Sequence, residues 1–142
     1  MRGRTFVLDT SALLALIENE EGAERVEFLF REEEVLVPFL SLLEVHYITQ
    51  QERGLDEAAR RVALIKELSG KILWRVDEPL VLTASRFKAG YKVSLADAMI
   101  AAFAHRHDAT LVHKDPEYEA LSEEGLEMEA LPFKPGRKNR TA

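Results

Sequence analysis

Thr5-Phe6-Val7-Leu8-Asp9-Thr10-Ser11-Ala12 is the stretch on which the reading of this chain turns. Four apolar, β-prone residues run directly into Asp-Thr-Ser, side chains that favour a helix start. Residues 12–18 then read as a helix. The same strand-to-helix unit recurs on moving outward. Val35-Leu-Val37 reads as a second buried strand closed by Pro38, followed by a helix from Ser41 to Gln51. Residues 71–75 and 110–113 supply third and fourth strands, and 126–131 a short fifth. Residues 22–34 have the apolar periodicity of an amphipathic helix, and 55–68 read as another helix, with Asp56-Glu57 in its first turn and Gly70 after its end. Asp77-Glu78-Pro79 opens another helix, which stops at Gly90. The segment from Ser94 to His105 is nearly all apolar and Ala-rich, as expected of a central, buried helix. Strands separated by helices imply right-handed crossovers, hence an α/β fold with a mainly parallel, about five-stranded sheet covered on both faces.

A length of 142 residues suits one domain, placed here at residues 1–133. The basic end, 134–142, lacks apolar side chains and reads as a flexible tail. There are no cysteines, which excludes disulfides, thiolate zinc sites and cysteine nucleophiles. No apolar run approaches the roughly 20 residues of a membrane span, and the start does not resemble a signal peptide. A cytoplasmic protein is expected. The net charge of −6 is a weak argument against a nucleic-acid partner. A metal ion held by the chain's own carboxylates would supply the missing positive charge.

In open parallel sheets, ligands bind beyond the carboxyl ends of the strands. Four acids fall at such positions. Asp9 ends the first strand, Glu44 lies in the first turn of the helix after the second, Asp97 in the first turn of the Ala-rich helix, and Asp115 just after the fourth strand. They form one cluster if the strand order brings those ends together. Crowded carboxylates resist joint ionisation unless a cation neutralises them, which suits Mg²⁺ or Mn²⁺ and metal-assisted phosphodiester hydrolysis. Each acid also has an ordinary structural reading. Ser41-x-x-Glu44 has the spacing of a capping box and Ser94-x-x-Asp97 of a shorter-armed one. Asp9 could sit in a plain turn, and Asp115-Pro116 could simply start a helix. A cap and a ligand are compatible, because a cap fixes the rotamer.

Val7-Leu-Asp-Thr-Ser-Ala12, Ser41-Leu-Leu-Glu44, Ser94-Leu-Ala-Asp-Ala98 ahead of Met99–Ala104, and Leu111-Val-His-Lys-Asp115 resemble the ordered motifs of PIN domains. The likeness is greatest to the VapC-type toxins of prokaryotic toxin–antitoxin pairs, and it runs from about Thr5 to Leu131. The resemblance implies a three-layer α/β/α sandwich, Mg²⁺- or Mn²⁺-dependent ribonuclease activity, a homodimer, and a small antitoxin partner. It makes Asp9, Glu44, Asp97 and Asp115 the metal-holding acids, with Ser11 and Glu117 in support. The fourth motif departs from the pattern. His113 stands where Thr or Ser is usual, and Glu117-Tyr118 where Asp-Phe is usual. His113 reads as a hydrogen-bond partner supporting the site's ligands from behind or, slightly preferred, as a strand-end residue without a role.

Other features are discounted. His105 and His107, two apart on a helix, do not share a face and read as surface positions. His46 faces away from Glu44. Phe28, Phe30 and Trp74 read as core or dimer contacts. The glycines stand singly, with no phosphate-cradling spacing, and no nucleophile elbow is present. Lys92 and Lys114, near motif acids, are candidate phosphate contacts. Two further functions compete with a nuclease: a receiver-like phosphoacceptor domain, and a non-catalytic PIN-like binding subunit.

Overall fold

The computed structural model describes residues 4–132; the basic tail expected at 134–142 lies outside the described residues. Five strands form one sheet in the order β3-β2-β1-β4-β5, and every neighbouring pair is parallel. They are β1 (Thr5–Leu8), β2 (Glu34–Pro38), β3 (Lys71–Leu73), β4 (Thr110–His113) and β5 (Met128–Ala130). The helices are α1 (Thr10–Ile17), α2 (Ala23–Glu32), α3 (Phe39–Arg53), α4 (Leu55–Glu67), α5 (Glu78–Gly90) and α6 (Leu95–Arg106), with a 3-10 helix at Pro116–Glu124.

Side chains on a strand alternate between its two faces, and here each face has its own core. Val7, Leu36, Leu73 and Leu111 pack with α5, α6 and the 3-10 helix, around Phe87, Ile100, Phe103 and Leu121. Phe6, Leu8, Val35, Val37 and Val112 pack with α1, α2, α3 and α4, around Leu13, Val26, Leu29 and Ile65. The fold is therefore a three-layer α/β/α sandwich. β1 and β4 at its centre are apolar along almost their whole length because both of their faces are covered.

Local chemistry sets the helix starts. Asp9 is the N-cap of α1 and accepts the Ala12 N–H; Asp77 caps α5 from the Leu80 N–H; Ser94 caps α6 from the Asp97 N–H. α3 departs from expectation. It begins at Phe39 behind Pro38, with no side-chain cap. The capping-box reading of Ser41 and Glu44 is thereby corrected: Ser41 already lies inside the helix, and its hydroxyl donates to the Leu8 carbonyl instead. Glu44 lies one turn deeper than expected.

α3 and α4 form a hairpin that turns at Gly54, whose φ of 96° favours glycine. Arg61 on α4 is buried and reaches back across the hairpin. Its guanidinium pairs with Glu18 at 3.0 Å and Glu57 at 3.1 Å.

A candidate acidic metal centre at the strand exits

The sheet order reverses direction of growth between β1 and β4, so their carboxyl ends flank the topological switch point, where α/β sheets open a crevice. Asp9 leaves β1 there. Asp115 follows β4, α6 presents Asp97 from its first turn, and α3 brings Glu44. All four are almost fully buried, at 1%, 1%, 2% and 5% exposure respectively. Buried carboxylates are rare unless paired or ligated, so their environment decides what they do.

Asp9 is held tightly. The Ser11 hydroxyl lies 2.8 Å from both of its oxygens and donates to them, while the Ala12 N–H adds a bond of 2.9 Å. The same Ser11 oxygen accepts the Lys114 N–H at 2.9 Å, clasping the end of β4 to the end of β1. Glu44 accepts from the Thr10 hydroxyl at 2.5 Å, a strong bond to a neighbour of Asp9. With the Ser41–Leu8 bond, this ties α3 to the exit of β1 at two points. Asp115 accepts the Glu117 N–H at 2.9 Å, and its own N–H donates to His113 Nδ1 at 3.1 Å. Asp97 Oδ1 accepts the Tyr118 hydroxyl at 2.9 Å. Asp97 Oδ2 is buried and has no hydrogen-bond partner among the described residues.

Oxygens of Asp97, Asp115 and Glu117 all lie within 4.8 Å of one another, a spacing that one cation could bridge. Asp9 and Glu44 couple to this trio through charge. Burial, with the Asp97 and Asp115 charges behind it, pushes the Asp9 carboxyl up to about 8 despite the Ala12 and Ser11 bonds. Burial, with the Asp115 and Glu44 charges, raises Asp97 to about 7. Burial also raises Glu44, against the Thr10 bond. These carboxyls resist ionisation because several negative charges share a small volume away from water. An all-oxygen donor set with an uncommitted buried oxygen is what a hard divalent ion such as Mg²⁺ or Mn²⁺ takes. The residues fit such an ion.

The other candidates fall elsewhere. Glu117 is exposed, and one of its oxygens lies within 4.8 Å of oxygens of Asp97 and Asp115. Lys92 is exposed. The Lys114 ammonium is engaged by the Glu21 carbonyl at 2.8 Å and by Glu20 at 3.6 Å. His113, read as a residue without a role, is 1% exposed and holds the Asp115 N–H. Burial lowers its pKa, as expected of a neutral ring accepting at Nδ1. His105 is half-buried against Phe87 rather than a surface residue, with ring centroids 5.7 Å apart. Phe30 is in the core, whereas Phe28 and Trp74 are exposed. Tyr118, read from the sequence only as part of the fourth motif's departure from Asp-Phe, meets the site directly through its bond to Asp97. Its signal was the hydroxyl, since a tyrosine in an apolar setting needs a polar partner.

The fold and the site together define an α/β domain with a buried cluster of acids at its switch point. The PIN domain profile matches residues 6–124. The chain belongs to the PIN domain family. No curated protein sequence matches it. Among solved structures, VapBC2 from Rickettsia felis, bound to a DNA fragment from its promoter, superposes with a TM-score of 0.74 at 15% identity. The match covers 90% of this chain and 99% of that one. VapBC-1 from nontypeable Haemophilus influenzae gives 0.70 at 21% identity, over 89% and 97% of the two chains. VapC20 of Mycobacterium tuberculosis, a sarcin-ricin-loop-cleaving toxin, gives 0.65 at 16% identity, over 81% and 93%. At these identities the likeness is one of fold.

Proposed function

We propose that this chain is a metal-dependent endoribonuclease, the toxin half of a VapBC-type pair, acting in the cytoplasm. The observation that carries the reading is the convergence of four buried carboxylates, from four separate segments, at the strand exits, where their charges act on one another. Membership of the PIN family and the toxin neighbours support it. Asp97, Asp115 and Glu117 would hold Mg²⁺ or Mn²⁺, with Asp9 and Glu44 completing the negative wall. The ion, when bound, supplies Lewis acidity toward water and the phosphodiester. The chain's own groups do the positioning: Ser11 orients Asp9, and Thr10 orients Glu44. The net charge of −6 ceases to oppose an RNA substrate once a cation faces the phosphate.

Two sets of exposed apolar side chains support protein partners, which we propose to be a second copy of this chain and a small antitoxin. Leu43, Tyr47, Leu55 and Leu64 lie on α3 and α4; Trp74, Val76, Val81 and Leu82 lie on and before α5. Among the described residues no helix is long and apolar enough to cross a membrane. Membership of the PIN family displaces the receiver-like alternative.

The test is cleavage of structured RNA by the purified protein with Mn²⁺. EDTA should stop it and added Mn²⁺ restore it. Asp97→Asn should lower the rate by more than the 10–100-fold typical of losing an outer partner of a metal ligand. Equal rates for parent and Asp97→Asn, or full activity in EDTA, would reject the metal site. Parent protein inert on every RNA, yet binding Mn²⁺, would favour the non-catalytic binding subunit.

A further inference from the structure

Asp97 has two carboxylate oxygens in different situations. Oδ1 takes the Tyr118 hydroxyl at 2.9 Å. Oδ2 is the buried carboxylate oxygen of the cluster without a hydrogen-bond partner among the described residues. Asp9, by contrast, has both oxygens engaged by Ser11. Tyr118 itself cannot drift. It is fully buried, stands in the 3-10 helix, and its ring lies against that of His113 with centroids 5.0 Å apart. His113 in turn accepts the Asp115 N–H. One rigid unit thus touches two members of the metal-holding trio, Asp97 through the phenol and Asp115 through the imidazole. A buried tyrosine could place its hydroxyl on any nearby acceptor merely to satisfy it. That account leaves unexplained why the acceptor's second oxygen is buried with no hydrogen-bond partner among the described residues, an arrangement that costs free energy unless something binds there.

We infer that Tyr118 is a positioning residue that reserves Asp97 Oδ2 for the cation. The inference rests on the metal-site reading above. By occupying Oδ1, the hydroxyl fixes the rotation of the carboxylate about its Cβ–Cγ bond and makes it a one-oxygen ligand. One-oxygen carboxylates suit the near-octahedral shells of Mg²⁺ and the similar Mn²⁺, whereas Ca²⁺ accepts two oxygens of one carboxylate in looser geometry. Tyr118 therefore sets which ion the site prefers, as well as how tightly it holds one. Tyr118→Phe deletes the hydroxyl alone and frees both Asp97 oxygens.

The experiment is titration of metal-free parent and Tyr118→Phe with Mn²⁺, followed by calorimetry and by Mn²⁺ electron paramagnetic resonance, with Ca²⁺ as competitor. Melting temperatures of both proteins in EDTA accompany it. Tyr118→Phe should bind Mn²⁺ more weakly by on the order of 10-fold or more, as loss of an outer partner does. It should also be displaced by Ca²⁺ at lower competitor ratios than the parent. A lower melting temperature in EDTA with Mn²⁺ affinity within twofold of the parent would mean that the hydroxyl only supports the fold, and would overturn the inference alone. A parent that binds no Mn²⁺ would overturn the metal-site reading and this inference with it.

Discussion

Asp9→Asn should stabilise the metal-free protein, and the gain should grow with pH. The side chain titrates at about 8 in the folded chain against an ordinary value of 3.8. Below about pH 4 it is protonated in folded and unfolded chains alike, so it contributes nothing to their difference. Between pH 4 and 8 the unfolded chain releases the proton while the folded chain keeps it, and stability falls steadily with pH. Above pH 8 the loss is complete. At about 1.4 kcal/mol per pH unit the ceiling is on the order of 6 kcal/mol. The realised value is expected nearer 2 kcal/mol, because part of the effect is shared with Asp97 and because relaxation and water entry soften buried charges. Asparagine is as good an N-cap as aspartate, so the Ala12 N–H keeps its acceptor and the start of α1 is not harmed. For a chain of this length, about 3 °C per kcal/mol converts the gain to a melting temperature about 6 °C higher. The assay is thermal melting of parent and variant in EDTA from pH 5 to pH 9. The gap should open as pH rises, and saturating Mn²⁺ should narrow it by stabilising the parent. A gap that does not change with pH, or a variant less stable than the parent at pH 9 in EDTA, would refute the crowding of charge at this site.

Two further outcomes concern the scaffold. Arg61→Ala should destabilise by about 3 kcal/mol in urea denaturation by removing the buried cation that Glu18, at the end of α1, shares with Glu57, whereas Arg61→Met, which fills the space without the charge, should cost clearly less if Glu18→Gln accompanies it. Gly70→Ala should cost about 1–3 kcal/mol by the same assay, because the new Cβ would lie 2.8 Å from Phe30 Cε1 and 3.1 Å from the Val35 carbonyl, in a packed region.

The layers of the fold were legible because each depends on local pattern. Val7 and its neighbours announce a doubly covered strand, and Asp77 and Ser94 announce helix starts, with information lying within four residues. The meeting of Asp9, Glu44, Asp97 and Asp115 needed one non-local fact, that β4 inserts beside β1. No periodicity carries that. The start of α3 was misplaced because Ser41 has the chemistry of a cap, while its hydroxyl is claimed by the Leu8 carbonyl, 33 residues earlier. Tyr118 was hidden for the same reason. Its partner Asp97 lies 21 residues back on another helix, and along the chain it is a change within the fourth motif with nothing to show what its hydroxyl meets. Arg61 drew no reading from the sequence, because its partner Glu18 is brought across from the end of α1.

The insertion of β4 between β1 and β5 also has a consequence in time. A chain leaving the ribosome has β1, β2 and β3 available early, with Asp9 and Glu44 already in place. Until β4 has emerged and docked, β1 is an open edge and Asp115, with Tyr118 behind it, is still missing. No nascent fragment ending before residue 115 can assemble the acid cluster. If the chain cuts RNA, its own synthesis therefore takes place with the blade absent, and the catalyst appears only when nearly the whole domain has been made.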